Sequence, residues 1–258
     1  MIAGGGGILG PWFVAALAES GADIIVVDMD EVRAKQVAED AQKAFGIKAL
    51  GVECDISKPE DVNRMVVDVR QDFKHVDILL NAAATKTKSL KNYLAPLEDY
   101  DLDTWNEIMA TNIGGMFLMA QSVGKWMIDS GVKGSIIQIA SIYGILGPKD
   151  RIYEGSEYEG MPISTSPAYP ASKGAVIAWT RYLATAWAKH GIRVNTITPG
   201  GVESGQNDEF KARYGKEVPL GRMAEASEMA GALVYLASDA SSYMTGQNLV
   251  VDGGLTVW

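Results

Sequence analysis

Cysteine is almost absent from this 258-residue chain, since Cys54 is the only one. That scarcity excludes a disulfide framework and a cysteine-based metal cluster, and the two histidines form no metal-ligand pattern, so we expect no metal. Positive charge is also scarce, because 23 basic residues face 32 acidic ones and the net charge is −9. The phosphates of a nucleic acid would be repelled by such a chain, so we expect no nucleic-acid partner.

Long hydrophobic runs and targeting signals are missing as well. Nothing approaches about 18 consecutive apolar residues, and no signal peptide precedes the first motif, so we expect a cytoplasmic protein without a membrane partner. What the chain does have is an ordinary globular composition, with 47% hydrophobic and 21% charged residues. It carries no repeat, low-complexity tract or dividing linker, which predicts a single domain over residues 1–258.

Short apolar runs alternate with helical patterns along the chain. The runs typical of buried parallel strands lie at 24–27, 49–52, 78–80, 135–139, 194–197 and 249–251. The apolar periodicity predicts helices at about 11–20, 31–45, 58–74, 103–130, 168–190 and 226–238. This alternation predicts βαβ units with right-handed crossovers, and therefore an α/β fold with a doubly wound parallel sheet.

Tyr169 and Lys173 lie four residues apart at the start of a predicted helix. Positions i and i+4 share one helix face, so the phenol and the ammonium are expected to be neighbours. A tyrosine has an unperturbed pKa of about 10, and a nearby cation would lower that pKa toward the range in which the phenol exchanges protons at neutral pH. The alternative for this spacing alone is a surface tyrosine beside a solvated lysine.

A glycine-rich turn opens the chain and precedes a predicted helix. The run from Gly4 to Gly10 would let backbone N–H groups approach a pyrophosphate at the positive end of the helix dipole. Asp28 ends the following strand, where its carboxylate can bind an adenosine ribose and repel the extra phosphate of NADP, so NAD is favoured over NADP. The alternatives are a flexible glycine turn and a helix-capping aspartate.

Further elements follow in a fixed order over nearly the whole chain. They are Asp55, the Asn81-Ala82-Ala83-Ala84 element, Asn112, Ser141, the Pro199-Gly200 pair and the Val251-Asp252-Gly253-Gly254 element. Together with the glycine turn and the Tyr169–Lys173 pair, they resemble the short-chain dehydrogenases/reductases, a superfamily of NAD(P)-dependent oxidoreductases. A narrower resemblance, to bacterial oxidoreductases associated with sugar and surface-glycan metabolism, is carried by residues 141–144, 181–184 and 199–202. The family resemblance implies a Rossmann-type sheet of about seven strands flanked by helices.

The chain departs from the family pattern near its start. Ala3 replaces the usual threonine before the first glycine, and Ala82 replaces the second asparagine of its element. Only Met1 and Ile2 precede Ala3, so the first central strand is expected to be stunted, or the chain shortened there. A short central strand would cost ladder hydrogen bonds and buried apolar area.

The resemblance also implies catalytic roles. Tyr169 would be the general base in alcohol oxidation and the general acid in carbonyl reduction, while Lys173 would lower the Tyr169 pKa and hold the nicotinamide ribose. Ser141 would orient the substrate oxygen, and Asn112 would shape a proton-relay water site through backbone contacts in a kinked helix. Taken alone, Ser141 is typical of a loop cap, and Asn112 of a polar residue bonded to its own helix.

By the same resemblance, residues from several parts of the chain would contact the dinucleotide. They are Gly4, Ile8, Leu9 and Gly10 at the pyrophosphate, Asp28 at the adenosine ribose, Asp55 and Ile56 at the adenine edge, Asn81 and Ala82 beneath the ribose, Tyr169 and Lys173 at the nicotinamide ribose, and Pro199, Gly200 and Val202 beside the nicotinamide.

Two segments are expected to select the substrate. Ser141 and Tyr169 are 28 positions apart (169 − 141), longer than the usual family interval, so residues 147–167 look like an insertion. With the lid-like segment 203–218, the insertion would set specificity. Polar residues there suit a hydroxylated or anionic substrate, although they are equally typical of solvated loops. They are Lys149, Arg151, Tyr153, Tyr158, Gln206, Asn207 and Arg213.

These observations lead to one main hypothesis and two alternatives. The main hypothesis is an NAD-dependent alcohol dehydrogenase or carbonyl reductase that acts on a sugar-like or polyol substrate. One alternative is a reductase of 3-oxoacyl or other ketones, and another is a non-catalytic dinucleotide-binding scaffold. The apolar C-terminal residue, Trp258, and the family resemblance predict a homotetramer or homodimer.

Overall fold

The computed structural model describes residues 1–85, 87, 89–158 and 160–258; Lys86, Lys88, Glu159 and the side chain of Tyr158 lie outside the described part. The strands are β1 Ile2–Ala3, β2 Ile24–Asp28, β3 Ala49–Glu53, β4 Ile78–Asn81, β5 Ser135–Ile139, β6 Glu157–Tyr158, β7 Met161–Pro162, β8 Arg193–Pro199 and β9 Asn248–Val251. Seven of them form one parallel sheet in the order β3-β2-β1-β4-β5-β8-β9. The predicted doubly wound Rossmann-type fold is confirmed.

Helices cover both faces of this sheet. They are α1 Gly10–Glu19, α2 Glu31–Phe45, α3 Pro59–Asp72, α4 Leu90–Tyr93, α5 Leu102–Met109, α6 Met116–Asp129, α7 Ala168–Trp187, α8 Asp208–Lys216 and α9 Ala230–Ala237. The predicted helix at about 103–130 is interrupted, because a π-helical turn over Ala110–Gly115 separates α5 from α6. No helix in the described part of the chain is both long and apolar enough to cross a membrane.

The sheet is buried on both faces because its strands are apolar at successive positions. Leu79 packs in the core under α3 and α6, whereas its neighbour Leu80 packs in the opposite core under α1, α2 and α9. Both side chains are fully buried, as expected where successive strand residues point to opposite faces. The continuous apolar runs therefore encode a two-sided parallel sheet.

The short first strand lies at the centre of the sheet. Ile2 and Ala3 are fully buried, and Ile2 pairs with Val26 of β2 on one side and Leu80 of β4 on the other. The chain proceeds from β1 to β2 and β3 in one direction, and from β4 onward in the other. This reversal between β1 and β4 opens a crevice at the carboxyl ends of the strands, where doubly wound sheets bind ligands.

The segment 147–167 has structure of its own. It contains a 3₁₀ turn at Asp150–Ile152 and a two-stranded antiparallel hairpin of β6 and β7. Ile152 is buried with Phe210 and Tyr214 of α8. The insertion thus packs against the lid-like segment.

Candidate active site

The predicted site residues come from many parts of the chain, but the sheet gathers them at one edge. Each lies at, or shortly after, the carboxyl end of a strand or in a helix packed above it. Those following strands are Gly4 after β1, Asp28 at the end of β2, Asp55 and Ile56 after β3, Asn81 and Ala82 at β4, Ser141 after β5, and Pro199, Gly200 and Val202 at β8. This edge contains the crevice between β1 and β4.

The two glycines that bound the glycine turn, Gly4 and Gly10, have no room for a side chain. A Cβ at Gly4, whose φ is +80°, would lie 2.6 Å from the backbone nitrogen of Ala83. A Cβ at Gly10 would lie 2.1 Å from the carbonyl oxygen of Gly5. Ile8 is exposed and Leu9 is half-buried, so the turn between the two glycines faces outward just before α1 begins. Its backbone can therefore approach a ligand closely.

Asp28 closes this turn from the neighbouring strand. Its carboxylate accepts hydrogen bonds from the backbone N–H groups of Gly6, at 2.9 Å, and Asp30, at 3.1 Å. A Cβ on Gly6 would lie 3.0 Å from a carboxylate oxygen of Asp28 and 3.1 Å from the Cβ of Arg33, so the side chain of Arg33 begins close to this carboxylate. The crevice thus has an acidic group at its edge with a basic residue close by.

The residues expected at the adenine edge are held by local contacts. The carboxylate of Asp55 accepts hydrogen bonds from the hydroxyl of Ser57, at 2.6 Å, and from its N–H, at 3.0 Å. Burial raises the pKa of Asp55, but these bonds and Lys58 outweigh it and hold the pKa below its usual value. Ile56 is buried and packs against Gly115 of the π-helical turn.

Asn81, which is predicted to lie beneath the ribose, does not present its side chain to the crevice. It is fully buried, and its amide donates to the side-chain oxygen of Gln138, at 3.0 Å, and to the carbonyl of Met116. The reason is the strand alternation, which turns Asn81 toward α6. Ala82, which follows it, is half-buried and donates its N–H to the carbonyl of Ala3.

The end of β8 forms the opposite wall of the site. Pro199 is buried, and the N–H of Gly200 donates to the carbonyl of Val251. A Cβ at Gly200 would lie 2.8 Å from the Cα of Asp252. Val202 is half-buried and pairs with Ala224, which fixes the path of the chain into the lid-like segment.

Ser141 and Tyr169 meet above β5. The Ser141 hydroxyl accepts a hydrogen bond from the N–H of Tyr143, at 3.2 Å, which orients it within the turn after the strand. Burial raises the pKa of the Tyr169 phenol, and the adjacent Ser141 hydroxyl opposes part of that rise. The two hydroxyls therefore lie next to each other.

Lys173 is buried one helical turn beyond Tyr169. Its side chain is 2% exposed, and its ammonium donates to the carbonyl of Ile139 at 2.9 Å. Burial lowers the pKa of Lys173 to about 8. The net shift of the Tyr169 pKa is upward, because burial outweighs the influence of neighbouring groups, and the ammonium lies 5.7 Å from the phenol ring centre.

Asn112 lies in the π-helical turn and acts through its side chain. Its amide oxygen accepts from the N–H of Thr85, at 3.0 Å, and its amide nitrogen donates to the hydroxyl of Ser172, at 3.2 Å. The sequence led us to expect backbone contacts from Asn112 and did not predict these two side-chain hydrogen bonds. The π turn swings Asn112 into the interior, where it is fully buried.

The charged residues of the two specificity segments pair with each other. Lys149 and Arg151 of the insertion both bind the carboxylate of Glu217, with distances of 2.7 to 2.8 Å. These bonds lower the pKa of Glu217 to about 2. Arg213 pairs with Glu209 within α8 at 2.7 Å. The prediction that these cations serve a substrate is therefore not supported, and Glu217 carried no sequence signal because its partners are distant in the chain.

The uncharged residues divide into two groups. Gln206 bonds to Ser204 and the carbonyl of Val202, and Asn207 caps α8 through the N–H of Phe210. Tyr153, by contrast, reaches toward the catalytic turn.

In the described part of the chain, no three His, Cys, Asp or Glu residues are grouped so that they could hold a metal ion.

Comparisons with known proteins agree with this geometry. Residues 9–256 match the family model described as enoyl-(acyl carrier protein) reductase. The 2,5-dichloro-2,5-cyclohexadiene-1,4-diol dehydrogenase of Sphingobium indicum is 34% identical over 99% of this chain and 96% of its own. D-threitol dehydrogenase of Mycolicibacterium smegmatis is 32% identical over 100% of this chain and 92% of its own.

Solved structures extend the comparison to three dimensions. The crystal structure of a gluconate 5-dehydrogenase from Burkholderia cenocepacia, in complex with NADP and tartrate, matches with a TM-score of 0.86 at 31% identity. The match covers 100% of this chain and 94% of that one. With the family match, the full-length relatives and the shared sheet, the chain belongs to the short-chain dehydrogenases/reductases, a superfamily of NAD(P)-dependent oxidoreductases.

Proposed function

We propose that the protein is an NAD-dependent dehydrogenase that interconverts a secondary alcohol and a ketone on a neutral polyol or sugar-like substrate. The observation that carries this proposal is the meeting of Ser141, Tyr169 and Lys173 at the carboxyl edge of the sheet, beside the glycine turn. Relatives named for a cyclic diol, threitol and gluconate support a hydroxylated substrate.

The residues present fit a nicotinamide dinucleotide. Gly4 and Gly10 have no room for a side chain, and α1 begins at Gly10, so the backbone of the turn would meet a pyrophosphate at the positive end of this helix. The buried ammonium of Lys173 would hold the nicotinamide ribose, and Pro199 and Gly200 would border the nicotinamide. When bound, the dinucleotide supplies the hydride donor or acceptor.

The protein groups handle the substrate oxygen and its proton. Ser141 donates a hydrogen bond to that oxygen and places it beside Tyr169. The raised pKa of Tyr169 keeps the phenol protonated at neutral pH, which suits proton donation to a carbonyl. In the direction of oxidation, Tyr169 acts as the phenolate, which accepts the hydroxyl proton and becomes the neutral phenol. The positive charge of Lys173 would favour that phenolate before the proton is transferred.

NAD is the proposed cofactor because of Asp28. A carboxylate at the end of β2 can accept hydrogen bonds from ribose hydroxyls, and its charge would repel the 2′-phosphate of NADP. Arg33 lies beside it and could partly offset that repulsion. We therefore propose a preference for NAD, with Arg33 limiting the size of that preference.

The insertion 147–167 and the lid-like segment 203–218 are proposed to select the substrate together. Lys149 and Arg151 of the insertion both bind the Glu217 carboxylate, and the ring of Tyr153 packs at a tilt on Phe210 with ring centres 5.6 Å apart. Since Lys149 and Arg151 of the insertion are both engaged by Glu217, an uncharged hydroxylated substrate fits the site better than an anion.

Self-association as a homodimer or homotetramer is proposed on the basis of an aromatic face on α6 and α7. Phe117 packs at a tilt on Trp179, with ring centres 5.7 Å apart, and Trp179 stacks on Tyr182 at 5.2 Å. Phe117 is 40% exposed and Tyr182 is 62% exposed. A second copy of the chain would remove this face from water. Trp258 is also exposed, although its indole N–H donates to the carbonyl of Glu217.

The test of the proposed function is a turnover panel with the purified protein, NAD or NADP, and a set of polyols, sugars and 3-oxoacyl thioesters. The proposal predicts oxidation of uncharged polyols with NAD, and loss of nearly all turnover in Tyr169→Phe with unchanged NAD binding. Activity confined to acyl thioesters, or equal rates in Tyr169→Phe, would contradict it.

A further inference from the structure

A pair of phenols lies beside the catalytic residues without a role in the mechanism above. The hydroxyls of Tyr143 and Tyr153 form a short hydrogen bond with each other. Tyr143 belongs to the turn after β5, whereas Tyr153 belongs to the insertion and would be absent without it. The insertion thus delivers a hydroxyl to the vicinity of the catalytic turn.

The position of Tyr143 is fixed relative to the reacting groups. Its N–H donates to the Ser141 hydroxyl at 3.2 Å. The next residue, Gly144, packs so closely on α7 that a Cβ there would lie 2.7 Å from the backbone carbonyl carbon of Lys173. The phenol pair therefore starts from the same turn that carries Ser141 and rests on the helix that carries Tyr169.

Tyr153 is held from the opposite side. Its ring packs on Phe210 of α8, and Ile152 is buried in the same cluster. The Thr165 hydroxyl lies near both phenols, and its oxygen is buried without a well-formed hydrogen bond. Three neutral hydroxyls consequently converge between the insertion, the lid-like segment and the catalytic turn.

The ionisation of these phenols excludes a role as bases. Burial raises the pKa of Tyr143 well above the usual tyrosine range, and it raises the pKa of Tyr153 as well. Tyr153 also raises the pKa of Tyr169, so these two phenols are close enough to interact. Both members of the pair therefore remain neutral and act only as hydrogen-bond donors and acceptors.

The hydrogen-bond count of the pair determines what it can recognise. Two hydroxyls hold two protons, and their mutual bond uses one, so one donor and several lone pairs remain. A neutral alcohol group can accept from the remaining donor and can also donate to one of the lone pairs. A carboxylate can only accept. An alkyl group can neither donate nor accept, so an alkyl group at this place would leave a buried hydroxyl without a partner.

We propose that Tyr153, paired with Tyr143, binds a second hydroxyl of the substrate and makes the enzyme selective for polyols over simple secondary alcohols. This inference rests on the proposed function and deepens it. It assigns the insertion a specific task, which is to supply the hydroxyl that distinguishes a polyol from a mono-alcohol with the same carbon chain.

The test compares a four-carbon series consisting of threitol, butane-2,3-diol and butan-2-ol. Tyr153→Phe removes the hydroxyl and keeps the ring that packs on Phe210. We expect kcat/KM for threitol to fall by about tenfold, chiefly through KM, because one hydrogen bond is lost. The value for butan-2-ol should change less than about twofold, since that substrate lacks the second hydroxyl. Tyr243→Phe, at a fully exposed tyrosine, is the matched control and should change neither value.

Binding provides a readout that does not depend on turnover. Calorimetric titration of the enzyme–NADH complex with threitol should give a Kd about tenfold weaker in Tyr153→Phe than in the wild type or Tyr243→Phe. NAD affinity should be equal in all three. No binding of threitol by the wild type would overturn the inference, as would equal losses on all three substrates, which would indicate a general positioning effect.

The two proposals can fail separately. If the wild type turns over none of the series but binds threitol as described, the proposed function is at fault and the inference stands. If it turns over threitol and Tyr153→Phe does not alter the preference for threitol over butan-2-ol, the inference fails and the proposed function stands. Should Tyr153→Phe not fold, Tyr143→Phe removes the other hydroxyl of the pair and carries the same expectation.

Discussion

The amide of Asn112 donates to the hydroxyl of Ser172 at 3.2 Å, and that hydroxyl in turn donates to the carbonyl of Tyr169 at 2.8 Å. The other end of the Asn112 amide accepts from the N–H of Thr85. A continuous chain of hydrogen bonds therefore joins the loop after β4 to the first turn of α7. The π-helical turn lies at Asn112, the residue whose inward-directed side chain links these hydrogen bonds.

The first prediction concerns this connection. Asn112→Ala leaves Thr85 and Ser172 without their buried partner, which should cost about 1 to 3 kcal/mol of unfolding free energy. The same change should lower kcat by roughly 10²-fold, because a displacement of about 1 Å in a catalytic helix is sufficient for that. Urea unfolding and turnover measurements would check both values.

The matched control for this variant is Asn106→Ala. Asn106 is exposed on α5, one turn before the π-helical turn, so its loss should change neither stability nor kcat appreciably. A full kcat in Asn112→Ala, despite reduced stability, would show that the chain of hydrogen bonds is structural only.

The second prediction concerns the buried ammonium of Lys173. Its pKa is about 8 in the folded chain, against the ordinary value of 10.5. Between pH 8 and pH 10.5 the unfolded state binds more protons than the folded state, so the free energy of unfolding rises with pH. Below pH 8 the folded chain carries the buried charge, and its full destabilising effect is present. Lys173→Met should therefore gain stability relative to the wild type below pH 8. That advantage should shrink as the pH rises toward 10.5, by on the order of 3 kcal/mol in all.

Urea unfolding at several pH values from 7 to 10 measures this difference. Tyr169 is present in both proteins, so its own titration cancels to first order. Lys125→Met is the control, because Lys125 is exposed and its effect should not vary over this range. A difference between Lys173→Met and the wild type that is independent of pH would contradict the buried-charge interpretation.

The elements that could be predicted from the sequence are those that depend on local pattern. β4 and β5 were identifiable because a strand buried on both faces reads as an uninterrupted apolar run. The glycine turn was identifiable because close backbone approach requires glycine at Gly4 and Gly10. Both features are determined by neighbouring residues.

What could not be predicted depends on partners far along the chain. The π-helical turn is associated with bonds from Asn112 to Thr85 and Ser172, which are 27 and 60 positions away. The burial of Asn81 depends on its partner Gln138 across the sheet. No local periodicity records such pairings, so the orientation of several of these side chains could not be predicted.

The third prediction concerns cofactor preference. Asp28→Ser removes the charge that would repel a 2′-phosphate and leaves Arg33 beside the site. We expect weaker NAD binding and stronger NADP binding, each by about tenfold, which corresponds to about 1.4 kcal/mol. Fluorescence titration with NADH and NADPH measures both. In the double variant Asp28→Ser/Arg33→Ala, the gain in NADPH affinity should be lost. A wild type that prefers NADPH would show that Asp28 does not determine the choice.

The fourth prediction concerns the link between the insertion and the segment that follows α8. Glu217→Gln removes the carboxylate that binds Lys149 and Arg151 and leaves those two cations close together without a counter-charge. Because Glu217 and Lys149 are mostly shielded while Arg151 is exposed, the stability loss should be about 1 kcal/mol, or a fall in Tm of about 2 to 4 °C. The KM for a polyol should rise several-fold, because Tyr153 is carried by the loosened insertion.

Salt and pH distinguish this link from a general loss of stability. Since Glu217 has a pKa lowered to about 2, its contribution is present above its ordinary value of 4.5 and is lost as the pH falls toward 2. At neutral pH, about 1 M salt should raise the wild-type KM toward that of Glu217→Gln, because the screening length is then about 3 Å. The KM of the variant should respond little. Glu31→Gln breaks an exposed ion pair on α2 and serves as the control, with no expected change in KM. Equal KM values for the wild type and Glu217→Gln at low salt would show that the ion pairs do not position the insertion, and that its packing against Phe210 is sufficient.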